Sequence, residues 1–573
     1  MFALTVSTRL LLFTAGWTAA LFALTFVVVR RHYAASLPHF DSMGGFSLVW
    51  QMMNLTETAG YRIGFLGAIG KSTSWLQPLF GVLVAGWPFR SPEAVVALNF
   101  GLLFLTQLAL LNYGRVFGFS MGRQLVMIAL PVLPAVASGW NGGLQDFRRD
   151  SQLFIVITGA LMQSLAYVER PSRANGLFLG LLGGLTLWSR DNSAFMLAIV
   201  MLPAVIMSVW RGYATSGLAG IIRRAGIPLL TFMALLVPYY ALTFELTVRR
   251  YTTNVWGFGN DRLPALLSTW ETPWQVVFGG RYATTSFAGA MTTLAVLTGI
   301  CLILGVCWLR GYVRICPRQL ASQPYALPLL SGAVVAVGII MFNALIAGIP
   351  SGQSGMPYLP LVAPVVAMLV GLSGLVSRTT AAPRAVSVGL PILASLVILV
   401  SCAARMVLNE PPAYGEANVS AFRQLALELG RQGAGRTTAL LWTEDFSRHH
   451  MDFYLTQAGY PVVMDFASRA TERGYRIDLD QPLRPTDQPD ELRQRLDTAL
   501  RTYAEFVVVC LDASQYENAQ GTRLWPYTVG RPVVERLLQD PTFKMVQQFT
   551  ISGRQFAILE NLQASPDTQP RTN

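Results

Sequence analysis

Charged residues are scarce in this chain of 573 residues, at 13% of the sequence against 53% hydrophobic residues. Soluble domains carry about 25% charged residues, so this scarcity argues against an ordinary soluble protein and favours a membrane protein. Acidic residues are scarcer than basic ones, 31 against 43, which leaves a formal net charge of +12. Almost all of the cations are arginines, many placed singly or in pairs at the ends of apolar runs. This distribution indicates membrane topology and no continuous basic surface for nucleic acid.

Cysteine is also scarce. Of the five cysteines, four lie in or beside apolar runs and only Cys510 lies in the polar C-terminal region. That region therefore cannot form an internal disulfide, and no cysteine pair has the two-residue spacing of a zinc site. The glycine-rich runs GFLGAIG and GLFLGLLGGL lack a preceding strand and a P-loop lysine. They predict close helix packing in lipid and no nucleotide site.

Long apolar runs are abundant. The first, LLLFTAGWTAALFALTFVVV, is about 20 residues long, which is enough to span a bilayer. No small-residue cleavage site follows it, so we predict a retained span. Length and hydropathy together predict a polytopic α-helical membrane protein with about 11 transmembrane helices. The runs begin near Leu10, Val95, Leu125, Leu153, Gly176, Phe195, Ile227, Ala288, Ala326, Leu359 and Val386.

Arginine predicts which connections face the cytoplasm. The connections that follow even-numbered spans contain repeated arginines and a single acid, Glu169. The positive-inside rule puts these connections and the N-terminus in the cytoplasm, and the longer mixed loops with the C-terminal region on the outer face. The arginine bias suggests a GC-rich bacterial genome, so we predict a multi-pass protein of the bacterial inner membrane with a periplasmic outer face. The arginines are Arg115, Arg123, Arg170, Arg173, Arg211, Arg223, Arg224, Arg310, Arg314, Arg318, Arg378 and Arg384.

The composition changes from about Asn409. NVSAFRQLALELGRQ and DELRQRLDTALRTY are typical of helices, and TTALLW, PVVMDF and EFVVVCLD of buried strands. FKMVQQFTISGRQFAILE predicts a terminal hairpin. We therefore predict a transmembrane domain at 1–408, whose first periplasmic loop covers about 31–92, and a C-terminal periplasmic α/β domain at 409–573.

The segment WTEDFSRHHMD of that domain contains a short cluster of acids and histidines. Asp445 and His449 are four residues apart, as metal ligands on a helix could be. Short clusters of this kind are more often solvated helix faces. We therefore predict no metal site there.

Asp41 lies just after the first span, in the first outer loop. An amphipathic face follows it at helical spacing, formed by Phe46, Val49, Trp50 and Met53. This pattern predicts a helix that can lie in the membrane interface. Asp41 is then either the N-cap of that helix, beside the break at Gly44 and Gly45, or a functional carboxylate at the membrane surface.

A second charged stretch, GWNGGLQDFRRDSQLF, lies between two apolar runs on the predicted outer face. On a helix, Asp146 and Asp150 would be i,i+4 neighbours and Arg148 would project elsewhere. In one interpretation Asp150 caps the fourth span, where the helix dipole favours an anion, and Asp146 is the freer carboxylate. In the other, the stretch is a cluster in which Arg148 and Arg149 suit phosphate and sugar hydroxyls.

Further cations lie on the predicted outer face, against the topology rule. They could bind a lipid-linked phosphate at the interface or contact anionic lipid headgroups. In WSRDNS, Arg190 could instead form a simple surface pair with Asp191. These cations are Arg62, Lys71, Arg190, Arg249, Arg250 and Arg281.

This layout resembles the C-type (GT-C) membrane glycosyltransferases. The nearest group contains the protein O-mannosyltransferases, the aminoarabinose transferases and the rhizobial lipopolysaccharide sugar transferases. By position, Asp41 matches the first-loop catalytic acid of that family, and Asp146 or Asp150 matches the acid of the second outer loop. SGMPYLPLVAP, with Tyr358, is similar to the family segment RYLLPLLP, although the residue before this tyrosine is Pro357 and not arginine.

The resemblance implies an inverting glycosyltransferase. Its donor would be a sugar on a polyprenyl phosphate in the bilayer, and its acceptor a periplasmic lipid A or lipopolysaccharide, polysaccharide or protein. Asp41 would act as general base, and cations would stabilise the leaving phosphate. The resemblance requires no cofactor and leaves a divalent-cation requirement open. The expected phosphate-binding residues are Arg148, Arg149, Arg62, Lys71, Arg249, Arg250 and Tyr358.

Two other classes of protein stay open at this point. A transporter or flippase of lipid-linked envelope precursors would often need charged or broken helices at the bilayer midplane, in paired repeats. No such repeat is apparent in the sequence, and the charges cluster at the ends of the spans. A membrane-anchored binding protein would instead act through the α/β domain.

Overall fold

The computed structural model describes residues 7–35, 40–70, 74–88, 90–138, 143–190, 193–254, 287–343, 356–378, 384–408, 416–433, 437–441, 448–460, 464–465, 488–512, 531–551 and 553–563. The chain divides into two compact units. The helical unit contains Met1–His32 and Leu55–Pro411, and the sheet unit contains Tyr33–Asn54 and Pro412–Asn573. The sequence predicted a first domain that includes 33–54, whereas this segment groups with the C-terminal residues.

Helices make up most of the described chain. In chain order they are α1 (Thr8–Ala35), α2 (Phe40–Ala59), α3 (Tyr61–Gly70), α4 (Leu76–Leu83), α5 (Pro92–Val95), α6 (Ala97–Val116), α7 (Met121–Ala129), α8 (Arg149–Glu169), α9 (Arg173–Ser189), α10 (Ser193–Asn254), α11 (Phe287–Leu309), α12 (Gln323–Met341), α13 (Val362–Leu372), α14 (Arg384–Leu408), α15 (Glu416–Gly433), α16 (Arg448–Gln457), α17 (Pro489–Tyr503) and α18 (Arg531–Gln539).

Each of the eleven predicted apolar runs is helical, so the predicted helix positions are confirmed. Within the described residues, six helices are long and apolar enough to cross a membrane by length and composition, and three shorter apolar helices accompany them. The number of spans therefore stays a prediction. The six are Thr8–Ala34, Pro92–Val116, Arg149–Glu169, Ser193–Phe244, Gln323–Met341 and Gly389–Leu408.

Helix α10 consists of two arms, 193–215 and 218–254, because the backbone leaves the helical conformation at Ser216 and Gly217. Gly217 has a φ of +61°, which glycine adopts without steric cost. The second arm packs against α9 through a stripe of glycines. A Cβ added at Gly183 would lie 3.1 Å from the ring of Phe232. The close packing predicted from GLFLGLLGGL is thus confirmed.

Helix α8 is the buried centre of the helical unit. Polar side chains join it to its neighbours: Thr106 Oγ1 donates to the Ile155 carbonyl at 2.7 Å, and Asn112 Nδ2 donates to Gln163 Oε1 at 2.9 Å. Gly159 makes room for Thr106, because a Cβ there would lie 2.9 Å from its hydroxyl oxygen. Such hydrogen bonds and small residues are typical of helix packing in lipid.

Connections rich in arginine gather at one end of the helical unit, which we call the arginine-rich end. There β1 (Val313–Ile315) pairs antiparallel with β2 (Val376–Arg378), and Arg123 Nη2 donates to the Val376 carbonyl at 2.8 Å. Arg211 pairs with Glu169 at 2.8 Å. Several of the connections predicted to share one side therefore lie together. That this end faces the cytoplasm stays a prediction.

The sheet unit contains a mixed five-stranded sheet in the order β4-β3-β5-β7-β6. Strand β3 is parallel to β4 and β5, whereas β7 is antiparallel to β5 and β6. The predicted strand positions and the terminal hairpin are confirmed, and β3 and β5 are buried as predicted. The strands are β3 (Thr437–Leu440), β4 (Met464–Asp465), β5 (Phe506–Cys510), β6 (Phe543–Ile551) and β7 (Arg554–Asn561).

The amphipathic face predicted after the first span exists, but it is buried in protein. Phe46 and Trp50 of α2 lie 6.0 and 5.1 Å from the ring of Phe453 in α16, measured between ring centroids. Asn54 Nδ2 donates to the Thr456 carbonyl at 3.1 Å, one turn further along both helices. The expectation that this face lies in the lipid interface is therefore wrong, because α16 covers it within the sheet unit.

Candidate active site

The second charged stretch forms a loop at 143–148, which we call the charged loop, followed by the first turn of α8. The loop backbone is buried, so its carbonyls need donors. Asn99 Nδ2 donates to the carbonyls of Leu144 and Asp146, both at 3.0 Å, and Gln77 Nε2 donates to the Phe147 carbonyl at 2.8 Å. Side-chain amides from α6 and α4 thus hold the loop in place.

Asp146 and Arg148 form a buried ion pair within the charged loop. Arg148 Nε lies 2.9 Å from Asp146 Oδ2, and the two side chains are 3% and 2% exposed. The prediction that Asp146 is the freer carboxylate is therefore wrong. The predicted i,i+4 relation to Asp150 is also wrong, because helix α8 begins at Arg149 and Asp146 precedes it. Asp146 and Arg148 instead stabilise the loop.

Asp150 lies in the first turn of α8 and pairs with Arg190, which directly follows α9. The N-cap position belongs to Arg148, whose backbone is extended and whose side chain makes no capping hydrogen bond. The prediction that Asp150 caps the span is therefore wrong, although its carboxylate still lies where the helix dipole favours an anion. Asp150 is 13% exposed and Arg190 26% exposed, so this pair reaches solvent. The expected pairing of Arg190 with Asp191 lies outside the described residues, and the described partner of Arg190 is Asp150.

Ser74 and Trp75 of the first predicted outer loop contact the residues that precede Arg190. Ser74 Oγ donates to the carbonyls of Trp188 at 3.1 Å and Ser189 at 2.7 Å. The ring of Trp75 lies 5.8 Å from that of Trp188 and 5.1 Å from that of Tyr239. The start of α4 is therefore fixed to the end of α9, next to the ion pair with Asp150.

Several predicted site residues are not brought to this cluster by the described structure. Helix α2 begins at Phe40, so Asp41 lies in its first turn, and the predicted capping contact of its side chain lies outside the described residues. Asp41 belongs to the sheet unit, and its side chain lies outside the described residues. Arg62 is exposed on α3, and Arg149 is half-buried in the first turn of α8.

Four further predicted phosphate contacts have no described side chain. Arg249 and Arg250 extend the helix of α10, although the sequence predicted them in a loop. Tyr358 lies in a 3-10 turn at Met356–Leu361, and Lys71 lies outside the described residues. The metal-ligand pair Asp445 and His449 has no described side chains either. Elsewhere in the described chain, no three acids, histidines or cysteines group as metal ligands would.

Sequence reasoning missed the amides that hold the charged loop. Asn99 and Gln77 are fully or almost fully buried. Asn99 lies inside the predicted apolar run from Val95, and Gln77 lies in an apolar part of the first predicted outer loop. Gln152 is also buried in α8, and neither of its amide atoms has a hydrogen-bond partner among the described residues. A polar amide beside or inside an apolar run is costly unless it is partnered. That cost was the available signal.

The ion pair of Asp150 and Arg190 can bind a phosphorylated sugar. Its carboxylate and guanidinium reach solvent and lie next to the buried charged loop. A guanidinium binds phosphate oxygens through paired hydrogen bonds, and a carboxylate accepts hydrogen bonds from sugar hydroxyls.

The fold of the chain is similar to that of two solved proteins, an aminoarabinose transferase of the group that the resemblance named and an arabinofuranosyltransferase. The chain is similar to ArnT from Cupriavidus metallidurans bound to undecaprenyl phosphate, with a TM-score of 0.55 and 11% identity over 97% of this chain and 99% of that one. It is also similar to the arabinofuranosyltransferase AftD from Mycobacteria, with a TM-score of 0.51 and 12% identity over 96% of this chain. It spans 40% of AftD. By sequence, no family model and no curated protein matches.

Proposed function

We propose that the chain is a membrane glycosyltransferase that moves a sugar from a polyprenyl-phosphate donor to an acceptor at the outer face. The observation that carries this proposal is the similarity in fold to an ArnT bound to undecaprenyl phosphate, which covers nearly the whole of both chains. The solvent-reaching pair of Asp150 and Arg190 at one end of the helical unit supports it. Such a pair can bind a sugar phosphate, the guanidinium through phosphate oxygens and the carboxylate through sugar hydroxyls.

The proposed reaction is a single displacement. The acceptor hydroxyl oxygen attacks the anomeric carbon, and the bond from that carbon to the phosphate oxygen breaks. The hydroxyl proton goes to the carboxylate of Asp41, acting as general base, and the polyprenyl phosphate leaves as an anion. One displacement inverts the anomeric configuration.

Arg190 can contact the donor phosphate, because it reaches solvent, whereas Arg148 is buried. Asp150 holds the guanidinium of Arg190 in place. The expected contacts from Arg62, Arg149, Arg249, Arg250, Lys71 and Tyr358 remain proposals.

Mass spectrometry of lipid-linked sugars and envelope glycans tests the proposal in a strain that lacks the gene. We expect one glycan, lipid or protein to lose a sugar and the matching polyprenyl-phosphate sugar to accumulate. Complementation with wild type or with Asp490→Asn should restore the product, because Asp490 is an exposed acid of α17. Complementation with Asp41→Asn should fail at a normal protein level.

Two results would contradict the proposal. An unchanged set of glycans and lipid-linked sugars in the deletion strain would exclude glycosyl transfer. Full restoration by Asp41→Asn would exclude Asp41 as the base.

Two further experiments address the alternatives. Addition of a chelator to membranes from the wild-type strain decides the divalent-cation requirement. Movement of a labelled lipid-linked precursor across proteoliposomes without any glycosylated product would identify a flippase.

A further inference from the structure

A half-open cavity of about 540 Å³ lies in the helical unit, between α8, α9 and the two arms of α10. Small residues line much of it, among them Gly180 and Gly183 of α9 and Ala194 and Ala198 of the first arm. Its walls are almost entirely hydrocarbon. Lining side chains such as Val205 and Leu229 are exposed, so the cavity opens to the surroundings of the helices. An exposed apolar surface of this kind marks a site that contacts lipid or protein.

The fold explains why the space is there. The two arms touch at their turn, where a Cβ on Gly212 would lie 3.0 Å from the backbone of Ile221. The second arm then follows α9, because the glycine stripe packs on it from Gly176 onward. From Ala194 to Val209 the first arm faces α9 and the second arm across a space, and this space is the cavity.

One end of the cavity is polar and basic. Tyr167 and Arg224 line it there, and the Tyr167 hydroxyl donates to the Arg224 carbonyl. Arg224 Nη1 lies 3.4 Å from the Val168 carbonyl, a long hydrogen bond that uses one of the five donors of the guanidinium. This end of the cavity coincides with the arginine-rich end.

The surroundings of Arg224 carry an excess of positive charge. Three other arginines belong to the adjoining turns, and the acid Glu169 is already bound by Arg211 at 2.8 Å and by Gln323 at 2.5 Å. A membrane ligand that fits here therefore has a negative head and an apolar tail. The three arginines are Arg170, Arg173 and Arg211.

We propose that this cavity binds one acyl chain of an anionic phospholipid, with the lipid phosphate against Arg224. A basic pocket between transmembrane helices is the recognised setting for acidic lipid headgroups. The guanidinium binds phosphate through charge-assisted hydrogen bonds, and the hydrocarbon walls bind the chain. No residue of the charged loop lines this cavity, so the proposed lipid site does not depend on the proposed reaction.

Native mass spectrometry of the purified full-length protein tests the site, with phosphatidylglycerol and phosphatidylcholine added in turn. We expect phosphatidylglycerol to bind more tightly than phosphatidylcholine. Arg224→Gln should weaken phosphatidylglycerol binding about tenfold, as expected for a lost charge-assisted hydrogen bond. Arg223→Gln is the matched control, because Arg223 is exposed and does not line the cavity. It should weaken binding by less than about threefold.

A second pair of variants tests occupancy of the cavity. Ala198→Phe should fill the space and abolish the phosphatidylglycerol adduct. Ile206→Phe should retain it, because Ile206 is exposed on the same arm and outside the lining. Should Ala198→Phe fail to fold, the arginine pair decides alone. Equal loss in Arg224→Gln and Arg223→Gln, equal binding of both lipids, or a polyprenyl phosphate as the lipid displaced by Ala198→Phe would overturn the proposal.

Discussion

Two ion pairs of the helical unit have nearly equal distances between nitrogen and oxygen but differ in how deeply their side chains are buried. In the charged loop, Arg148 and Asp146 are 2.9 Å apart and 3% and 2% exposed. At the arginine-rich end, Arg211 and Glu169 are 2.8 Å apart and 31% and 33% exposed. Removal of one partner from a buried pair costs about 3–5 kcal/mol, whereas an exposed pair contributes about 0–1 kcal/mol. Distance alone therefore does not rank these pairs, and burial does.

The sharpest test of this comparison is Arg148→Met. It leaves the Asp146 carboxylate buried without its guanidinium partner, so we expect a loss of about 3–5 kcal/mol in the free energy of unfolding. Arg211→Met should lose about 1 kcal/mol or less. Denaturant unfolding of the purified full-length protein in detergent measures both. Similar losses of unfolding free energy in the two variants would show that burial does not rank these ion pairs.

The double variant Asp146→Leu with Arg148→Met separates the ion pair from the packing around it. Replacement of a buried pair by apolar residues of similar volume is often neutral or stabilising. We therefore expect the double variant to recover most of the stability that Arg148→Met loses. A double variant as unstable as the single one would mean that other contacts of these two residues dominate.

Asn99→Leu tests the support of the charged loop. It deprives two buried carbonyls of a donor, and each orphaned group costs about 1–3 kcal/mol. Gln77→Met is the matched control, because it deprives one carbonyl, that of Phe147. The loss of unfolding free energy should be larger for Asn99→Leu than for Gln77→Met. The reverse order would show that the loop does not depend on these amides.

The sequence predicted the helices well because apolar runs are local patterns. It also predicted the strands of the sheet unit, whose hydrophobic runs are short and bounded by turns. The conformation of the charged loop could not be predicted in this way. Its donors Asn99 and Gln77 are 45 to 70 residues distant along the chain, and the packing of α2 on α16 joins residues 402 apart. Such contacts leave no periodic signal.

The roles of Asp146 and Asp150 were reversed for the same reason. The spacing of the two acids suits a helix, but the side chains that decide their exposure come from other elements. Arg190 reaches Asp150 from the end of α9, and α6 and α4 supply the amides behind Asp146. A sequence pattern can locate a charged cluster, whereas its burial depends on the tertiary fold.

Arg123→Lys tests contacts whose expected contribution to the free energy of unfolding lies between those of the two ion pairs. The guanidinium of Arg123 lies 5.3 Å from the ring centre of Tyr325 and donates to the Val376 carbonyl at 2.8 Å. Lysine keeps the charge but loses the planar fork that makes both contacts. We expect a loss of about 1–2 kcal/mol from the weaker cation–π contact and hydrogen bond. A loss as large as that of Arg148→Met would contradict the ranking by burial.

The smallest effect is expected at Asp540 of the sheet unit, in the turn before β6. Hydrogen bonds from the Thr542 hydroxyl and N–H, at 2.7 and 2.8 Å, and the Arg501 guanidinium lower its pKa from 3.8 to about 2. Its contribution to stability is therefore complete above pH 4 and is lost as the pH falls through 2. Asp540→Asn should slightly lower the unfolding temperature of the sheet unit at pH 6, and this difference from wild type should shrink between pH 4 and 2. A difference that stays constant over this range would mean that the carboxylate charge does not stabilise the turn.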